Sequence, residues 1–98
     1  MGKSRNDWYG SVKGFIMRYY RIKKETEMQK RICDSVDVVL KDTRNMDNGS
    51  ERIKAIEMIL IDKTHTIDGV VLELHYSRRT VQSWISDFVK KVGVKSGF

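Results

Sequence analysis

The hydrophobic positions of the first 45 residues recur at helical spacing. Apolar side chains alternate by four and three residues at Trp8, Val12, Phe15, Tyr19 and Ile22, and again at Cys33, Val36 and Leu40. This pattern is typical of an amphipathic helix. One helix over residues 7–42 would be about 50 Å long, whereas a domain of this size has a radius of gyration of about 13 Å. Because the apolar pattern fails between Lys23 and Glu27, we favour two helices over one projecting, dimerising arm.

Residues 45–50, NMDNGS, are turn formers that divide the chain into two parts. Residues 1–45 form an N-terminal helical segment, and residues 50–98 form a second domain. The first helix of the second domain should begin at a Ser50 cap and is apolar around most of its circumference, so it should be central. The fold class is all-α: an N-terminal helix or helical hairpin, followed by a three-helix helix-turn-helix domain.

The remaining two helices have the apolar spacing of a helix-turn-helix motif. One covers about Thr66 to Leu74, with Thr66 as its cap, and the other begins after Ser77 and ends at Gly93. The inward-facing positions are Val70, Val71 and Leu74, then Tyr76 in the turn, then Val81, Trp84, Ile85 and Phe88. Such turns usually have glycine where His75 stands, because the backbone there needs a positive φ, which histidine tolerates.

The last helix differs from the rest of its domain in net charge. The 98 residues have a net charge of +6 and a pI near 9.6, which favours polyanionic partners. Residues 76–98 hold five basic residues and one acidic residue, a net charge of +4, whereas residues 50–75 have a net charge of −2. One cysteine, no apolar run of membrane-spanning length and no signal-peptide pattern indicate a cytoplasmic protein.

The polar face of the last helix predicts a DNA interface. Arg78 and Arg79 occupy its first turn, where the helix dipole disfavours cations unless an external anion completes the site. In helix-turn-helix proteins this end of the helix enters the major groove. The residues predicted to read bases are Arg78, Arg79, Gln82 and Ser83. The residues predicted to hold phosphates are Ser77, Thr80, Ser86, Lys90 and Lys91.

The other candidate residues have more ordinary interpretations. The stretch from Lys13 to Arg31 has a net charge of +5; a second contact with the DNA backbone and a solvated helix face are equally compatible with it. Its tyrosines, Tyr19 and Tyr20, fit a core or a dimer interface better than base stacking. His65 and His75 lack a third ligand at zinc spacing, and Cys33 fits a core thiol. We expect no metal, no cofactor and no enzymatic activity.

The last 35 residues resemble the C-terminal signature of RinA-type phage transcriptional regulators, in which a Thr-His-Thr segment precedes a sigma-factor-like helix-turn-helix. The matching positions are Thr64, His65, Thr66, Gly69, Leu74, Ser77, Thr80, Trp84, Phe88, Val92 and Gly97. The upstream WYGSVKGFIMRYYRIKKE is similar to the family's N-terminal helix, and KDTRNMDNGSERIKAIEMIL to its central part. The family has alanines where Val70 and Val71 stand. The resemblance implies a bacteriophage or prophage protein that activates late packaging and morphogenesis genes, with a break after the first helix.

The sequence thus predicts a sequence-specific DNA-binding transcription regulator. Its expected partners are double-stranded DNA, RNA polymerase and a second copy bound through the N-terminal helix, with no membrane. Activation, as opposed to repression, rests on the resemblance alone. Two alternatives remain: a DNA-binding packaging protein of small-terminase type, which would form rings, and a protein-only interaction module that uses the amphipathic N-terminal helix.

Overall fold

The computed structural model describes residues 8–20 and 26–97, and over these residues the chain is all-helical. The described part contains five helices, the third of which continues into a π-helical turn over Glu57–Ile61. Their bounds are Tyr9–Tyr19 for α1, Glu27–Arg44 for α2, Gly49–Ile56 for α3, Ile67–Leu74 for α4 and Arg78–Lys95 for α5. The predicted all-α fold class is confirmed.

The N-terminal half forms two helices that pack against each other, so the predicted break is confirmed. Thr26 has an extended backbone, with φ −108° and ψ 157°, and caps α2. Its hydroxyl accepts a hydrogen bond from the Gln29 backbone N–H, and the Gln29 side-chain oxygen accepts one from the Thr26 N–H, both at 3.1 Å. This reciprocal capping box starts α2. Residues 21–25, with Lys23 and Ile22 among them, lie outside the described residues.

The start of α3 differs from the prediction that Ser50 is its cap. Asn48 is the N-cap, in the left-handed conformation with φ 58°, and Gly49 is the first helical residue. A Cβ on Gly49 would lie 2.4 Å from the Arg44 carbonyl oxygen. The chain turns back so closely on the end of α2 that only glycine fits. The Ser50 prediction is wrong because this close approach, and not a hydroxyl cap, sets where the helix begins.

The helix-turn-helix pair has the predicted caps and the predicted turn. The Thr66 hydroxyl accepts from the Gly69 N–H at 3.2 Å, and the Ser77 hydroxyl accepts from the Thr80 N–H at 3.1 Å. Between the two helices, His75 has φ 62° and ψ 37°, and its N–H donates to the Val71 carbonyl at 3.0 Å. Histidine therefore occupies the left-handed position where glycine is usual, as the sequence predicts.

The end of α5 lies beyond the predicted stop at Gly93. Gly93 is buried inside the helix, which continues to Lys95, and the positive φ of 96° falls on Gly97. A Cβ on Gly93 would lie 2.1 Å from Cζ3 of Trp8. The prediction is wrong because Gly93 makes room for the Trp8 ring and does not terminate the helix. Trp8, the N-cap residue of α1, therefore packs directly on the backbone of α5.

Residues of all five helices contribute to one hydrophobic core. The buried members include Val12, Ile16, Ile32, Val36, Val39, Ala55, Ile56, Leu60, Val70, Val81, Phe88 and Val92. Cys33 is also buried, as predicted for a core thiol. Helix α5 contacts each of α1, α2, α3 and α4. The buried side of α5 is thus fixed by four neighbouring helices, and this leaves one outward side for a partner.

Candidate nucleic-acid interface

Helix α5 is fixed by an aromatic and apolar inner face. Val81, Ile85 and Phe88 are buried, and Trp84 is buried beside them with 5% of its surface exposed. The Tyr76 ring meets the Trp84 ring edge-on, with centroids 4.7 Å apart. On another side, the guanidinium of Arg52 lies 5.6 Å from the Trp84 ring centroid, within range for a cation–π contact. The turn and α3 therefore both hold the inner face of α5.

The outward side of α5 carries a stripe of polar and basic residues. Arg79, Ser83, Ser86 and Lys90 recur at intervals of four, three and four residues, which places them on one face of the helix. At about 1.5 Å per residue, the stripe is about 16 Å long. Arg79 and Ser83 are exposed, whereas Ser86 and Lys90 are half-buried. Gln82, also exposed, lies on the edge of this stripe.

The first turn of α5 uses two of the three hydroxyls that were predicted to hold phosphates. The Ser77 hydroxyl accepts from the Thr80 N–H and donates to the Thr80 Oγ1 at 2.8 Å. The Thr80 hydroxyl keeps its own hydrogen to donate. Both side chains therefore help to start α5. Of the two, Thr80 has a hydroxyl hydrogen that remains available to donate to a phosphate.

Arg78 and Arg79 differ in their surroundings, although the sequence treats them alike. Arg78 Nη1 donates to a carboxylate oxygen of Asp68, which lies in the first turn of α4. The interpretation that only an external anion balances the helix end is therefore wrong for Arg78. Arg79 makes no ion pair with any residue in the described ranges and is exposed. Asp68 was missed, since a contact ten residues away across a turn has no periodic signal.

Lys90 and Lys91 differ in their surroundings, although both line the groove between α2 and α5. Lys91 Nζ is 3.6 Å from the Met46 sulfur, towards the α2–α3 connection, and Lys91 also lines a small crevice with Asp87. Lys90 lines an open groove of about 470 Å³ on the side of α1, together with Gln82 and Ser86. The structure thus brings Gln82, Ser86 and Lys90 together in the α1-side groove, which Lys91 does not line.

The groove on the α1 side also contains residues that the sequence did not assign individually. Tyr9 and Lys13 of α1 form one wall, and a side-chain hydrogen bond joins Tyr9 to Ser86. Burial raises the pKa of the Tyr9 hydroxyl above its usual value, and the hydrogen bond with Ser86 opposes part of that rise. Ser86 is therefore engaged with α1. Among the described basic residues of the stretch from Lys13 to Arg31, only Lys13 lines this groove.

The Thr64-His65-Thr66 segment before α4 makes local hydrogen bonds. His65 bridges Thr64, 2.9 Å from its Nδ1, and Glu73 of α4, 3.2 Å from its Nε2. These contacts attach the connection to α4. Within residues 8–20 and 26–97, no three histidine, cysteine or carboxylate side chains come together in a way that could hold a metal ion.

Comparisons with protein-family models, with curated proteins and with solved structures found no match for this chain. Across the described ranges, none of the helices has both the length and the apolar character needed to cross a membrane.

Proposed function

We propose that this protein is a double-stranded DNA-binding transcription regulator that inserts the N-terminal half of α5 into the major groove. The observation that carries the proposal is the division of α5 into two sides. Four helices cover its inner side, while Arg79, Gln82 and Ser83 are exposed within its first two turns. A rigid helix that offers a guanidinium, an amide and a hydroxyl at its N-terminal end has the groups that base edges bind.

The proposed roles follow from the reach and environment of each side chain. Arg79 has its five N–H donors available for guanine, and Gln82 can both donate to and accept from adenine. Arg78 is shared between Asp68 and the duplex, because one carboxylate contact through Nη1 leaves its remaining N–H groups available. Lys90 and the Thr80 hydroxyl would contact phosphates, which contribute affinity without sequence preference.

Duplex binding as a function of salt concentration tests the proposal. Selection from a random duplex library would first provide the preferred site, and fluorescence anisotropy would then give affinities for that site and for a scrambled duplex. Arg79→Ala and Gln82→Ala should each cost about 1–3 kcal/mol on the preferred site and relax the preference at one base pair. Lys54→Ala, an exposed lysine on α3, is the matched control and should change neither.

Two results would contradict the proposal. One is a wild-type protein that enriches no sequence and does not bind duplex DNA even at low salt, which would favour the protein-only interaction module. The other is unchanged site preference in the Arg79→Ala/Gln82→Ala double variant. The mass of the protein in solution distinguishes a regulator from the remaining alternative, a packaging protein. A ring of many copies would favour the packaging protein, and a monomer or dimer would favour the regulator.

Activation of phage late genes is the finer part of the proposal, and the resemblance to RinA-type regulators supports it. A template carrying the selected site upstream of a promoter, transcribed with purified bacterial RNA polymerase, should give more transcript when the protein is added. A decrease in transcript would make the protein a repressor and would contradict only this part.

A further inference from the structure

The groove between α1 and α5 has a composition that suits an anion. Its two cationic residues, Lys13 of α1 and Lys90 of α5, are both half-buried and both line the same open space of about 470 Å³. No carboxylate among the described residues lines that space. Lys90 also lines the neighbouring groove between α2 and α5, which contains Asp42, so Lys90 is shared between the two grooves. The α1–α5 groove still has an excess of positive charge, because its own described lining holds two lysines and no carboxylate.

The N-terminus of α1 reinforces this positive potential. Tyr9, the first residue of α1, and Ile67, the first residue of α4, both line the groove. Helix N-termini carry partial positive charge that falls off within about the first turn. The first turn of α1 contains no acidic residue, and the Trp8 side chain makes no capping hydrogen bond. The first turn of α4 contains Asp68, whose carboxylate offsets the positive end of that helix. The groove thus receives the positive end of α1 in addition to two ammonium groups.

The wall formed by α1 is held rigidly against α5. The Trp8 ring packs on the α5 backbone at Gly93, and Tyr9 lines the groove together with Ser86 of α5. At the other end of α1, Lys63 Nζ donates to the Met17 carbonyl oxygen at 2.8 Å. Lys13 lies between these attachments. Its position relative to Lys90 is therefore set by the fold, as a preformed phosphate contact requires.

We propose that this groove seats one sugar-phosphate strand of the DNA duplex, with Lys13 and Lys90 as its phosphate contacts. The inference rests on the proposed function, and it extends the interface from α5 onto α1. The groove is continuous with the reading side of α5, since Gln82 lies both on its lining and at the edge of the polar stripe. Ile67 and Ile85 supply an apolar floor against which a deoxyribose can pack.

The salt dependence of duplex binding measures this contact directly. Each phosphate contact contributes about 0.9 to the slope of log affinity against log salt concentration. Lys13→Gln should therefore reduce the slope by about 1 and weaken binding to the selected and scrambled duplexes alike. The Lys13→Gln/Lys90→Gln double variant should reduce the slope by about 2. Lys41→Gln, an exposed lysine on α2, is the matched control and should leave the slope unchanged.

Ethylation interference on the selected duplex locates the contact. In the wild type, ethylating the phosphates seated in the groove should block binding, and in Lys13→Gln at least one of those phosphates should cease to interfere. Circular dichroism at 222 nm verifies that the variants are folded. A competition series with inorganic phosphate, at constant ionic strength, tests for a small free anion as the occupant.

The outcomes separate this inference from the proposed function. If the wild type binds duplex DNA but Lys13→Gln keeps the wild-type slope and interference pattern, the groove proposal is overturned while the reading helix stands. Displacement of DNA by millimolar inorganic phosphate that disappears in Lys13→Gln would also overturn it, and would assign the groove to a small anion. If the wild type binds no duplex at all, both proposals fail together.

Discussion

A methyl group added at Gly93 should disturb the contact between α1 and α5 more than it helps the helix that contains it. The Cβ of an alanine at this position would lie 2.1 Å from Cζ3 and 2.6 Å from Cη2 of Trp8. Carbon atoms in contact are about 3.5–4.0 Å apart. Either the indole ring or α1 must therefore move by more than about 1 Å in Gly93→Ala, and the ring is too rigid to bend away.

The magnitude follows from two opposing effects. Forcing an extra methyl group into a packed contact costs about 1–3 kcal/mol. Replacing a glycine by alanine inside a helix stabilises that helix by about 1 kcal/mol. The net expectation is a decrease of about 1 kcal/mol in the free energy of unfolding of Gly93→Ala, which corresponds to a Tm lower by about 4–8 °C for a domain of this size.

Urea unfolding followed by circular dichroism at 222 nm tests the reasoning through a double-mutant cycle. In the Trp8→Ala background the obstructing ring is absent, so Gly93→Ala should become stabilising by about 1 kcal/mol. Gly14→Ala is the matched control, because a Cβ there meets nothing within 4 Å, and it should stabilise the wild type by a similar amount. If Gly93→Ala stabilises the protein with Trp8 intact as much as Gly14→Ala does, the proposed contact between Gly93 and Trp8 is refuted.

Three further predictions concern a cap, a phenol and an ion pair. Thr26→Ala removes the capping box of α2 and should lower the free energy of unfolding by about 1 kcal/mol in urea titrations, whereas Thr26→Ser should retain most of it. Burial raises the pKa of the Tyr9 hydroxyl above its usual 10.0, so the hydroxyl loses its proton at a lower pH in the unfolded chain than in the folded protein. The stability that the neutral, buried Tyr9 contributes is therefore complete below pH 10 and is lost as the pH rises through the folded-state pKa. The free energy of unfolding should therefore decrease more between about pH 9 and about pH 11 in the wild type than in Tyr9→Phe. Equal decreases in the two proteins would contradict this prediction. Asp68→Asn removes a negative charge beside Arg78 and should strengthen binding to a scrambled duplex by about fivefold in anisotropy titrations, equivalent to about 1 kcal/mol; unchanged affinity would show that Asp68 lies away from the DNA.

The parts of the fold that the sequence predicts are those set by local chemistry. Thr66 and Ser77 cap their helices through hydrogen bonds to residues three positions later, and such short-range signals can be read from sequence. The αL conformation of His75 follows from its position in the helix-turn-helix turn, where the backbone needs a positive φ. The cap of α2 was not predicted: Thr26 and Gln29 have the spacing of a capping box, but in the hydrophobic pattern they look only like polar interruptions.

The parts that the sequence did not predict depend on contacts between distant segments. Gly93 has the position of a helix stop in sequence, and only the Trp8 ring, 85 residues earlier, explains why it is helical. Gly49 starts α3 because the backbone passes close to Arg44. For the candidate site, the periodicity of α5 predicts the exposed stripe, whereas the pairing of Arg78 with Asp68 depends on how α4 is placed.

The two sides of α5 determine how binding defects can be interpreted. Arg79 and Ser83 are exposed and lie on the side opposite Val81 and its buried neighbours, and surface substitutions of this kind usually change stability by less than about 0.5 kcal/mol. A loss of DNA binding in Arg79→Ala therefore reports a lost contact. Ser86 differs, because it is half-buried and lines the groove together with Tyr9 of α1. A defect at Ser86 would combine a lost phosphate contact with a displaced α1 wall, so the lysine substitutions in the groove measure the DNA contact more directly than Ser86 does.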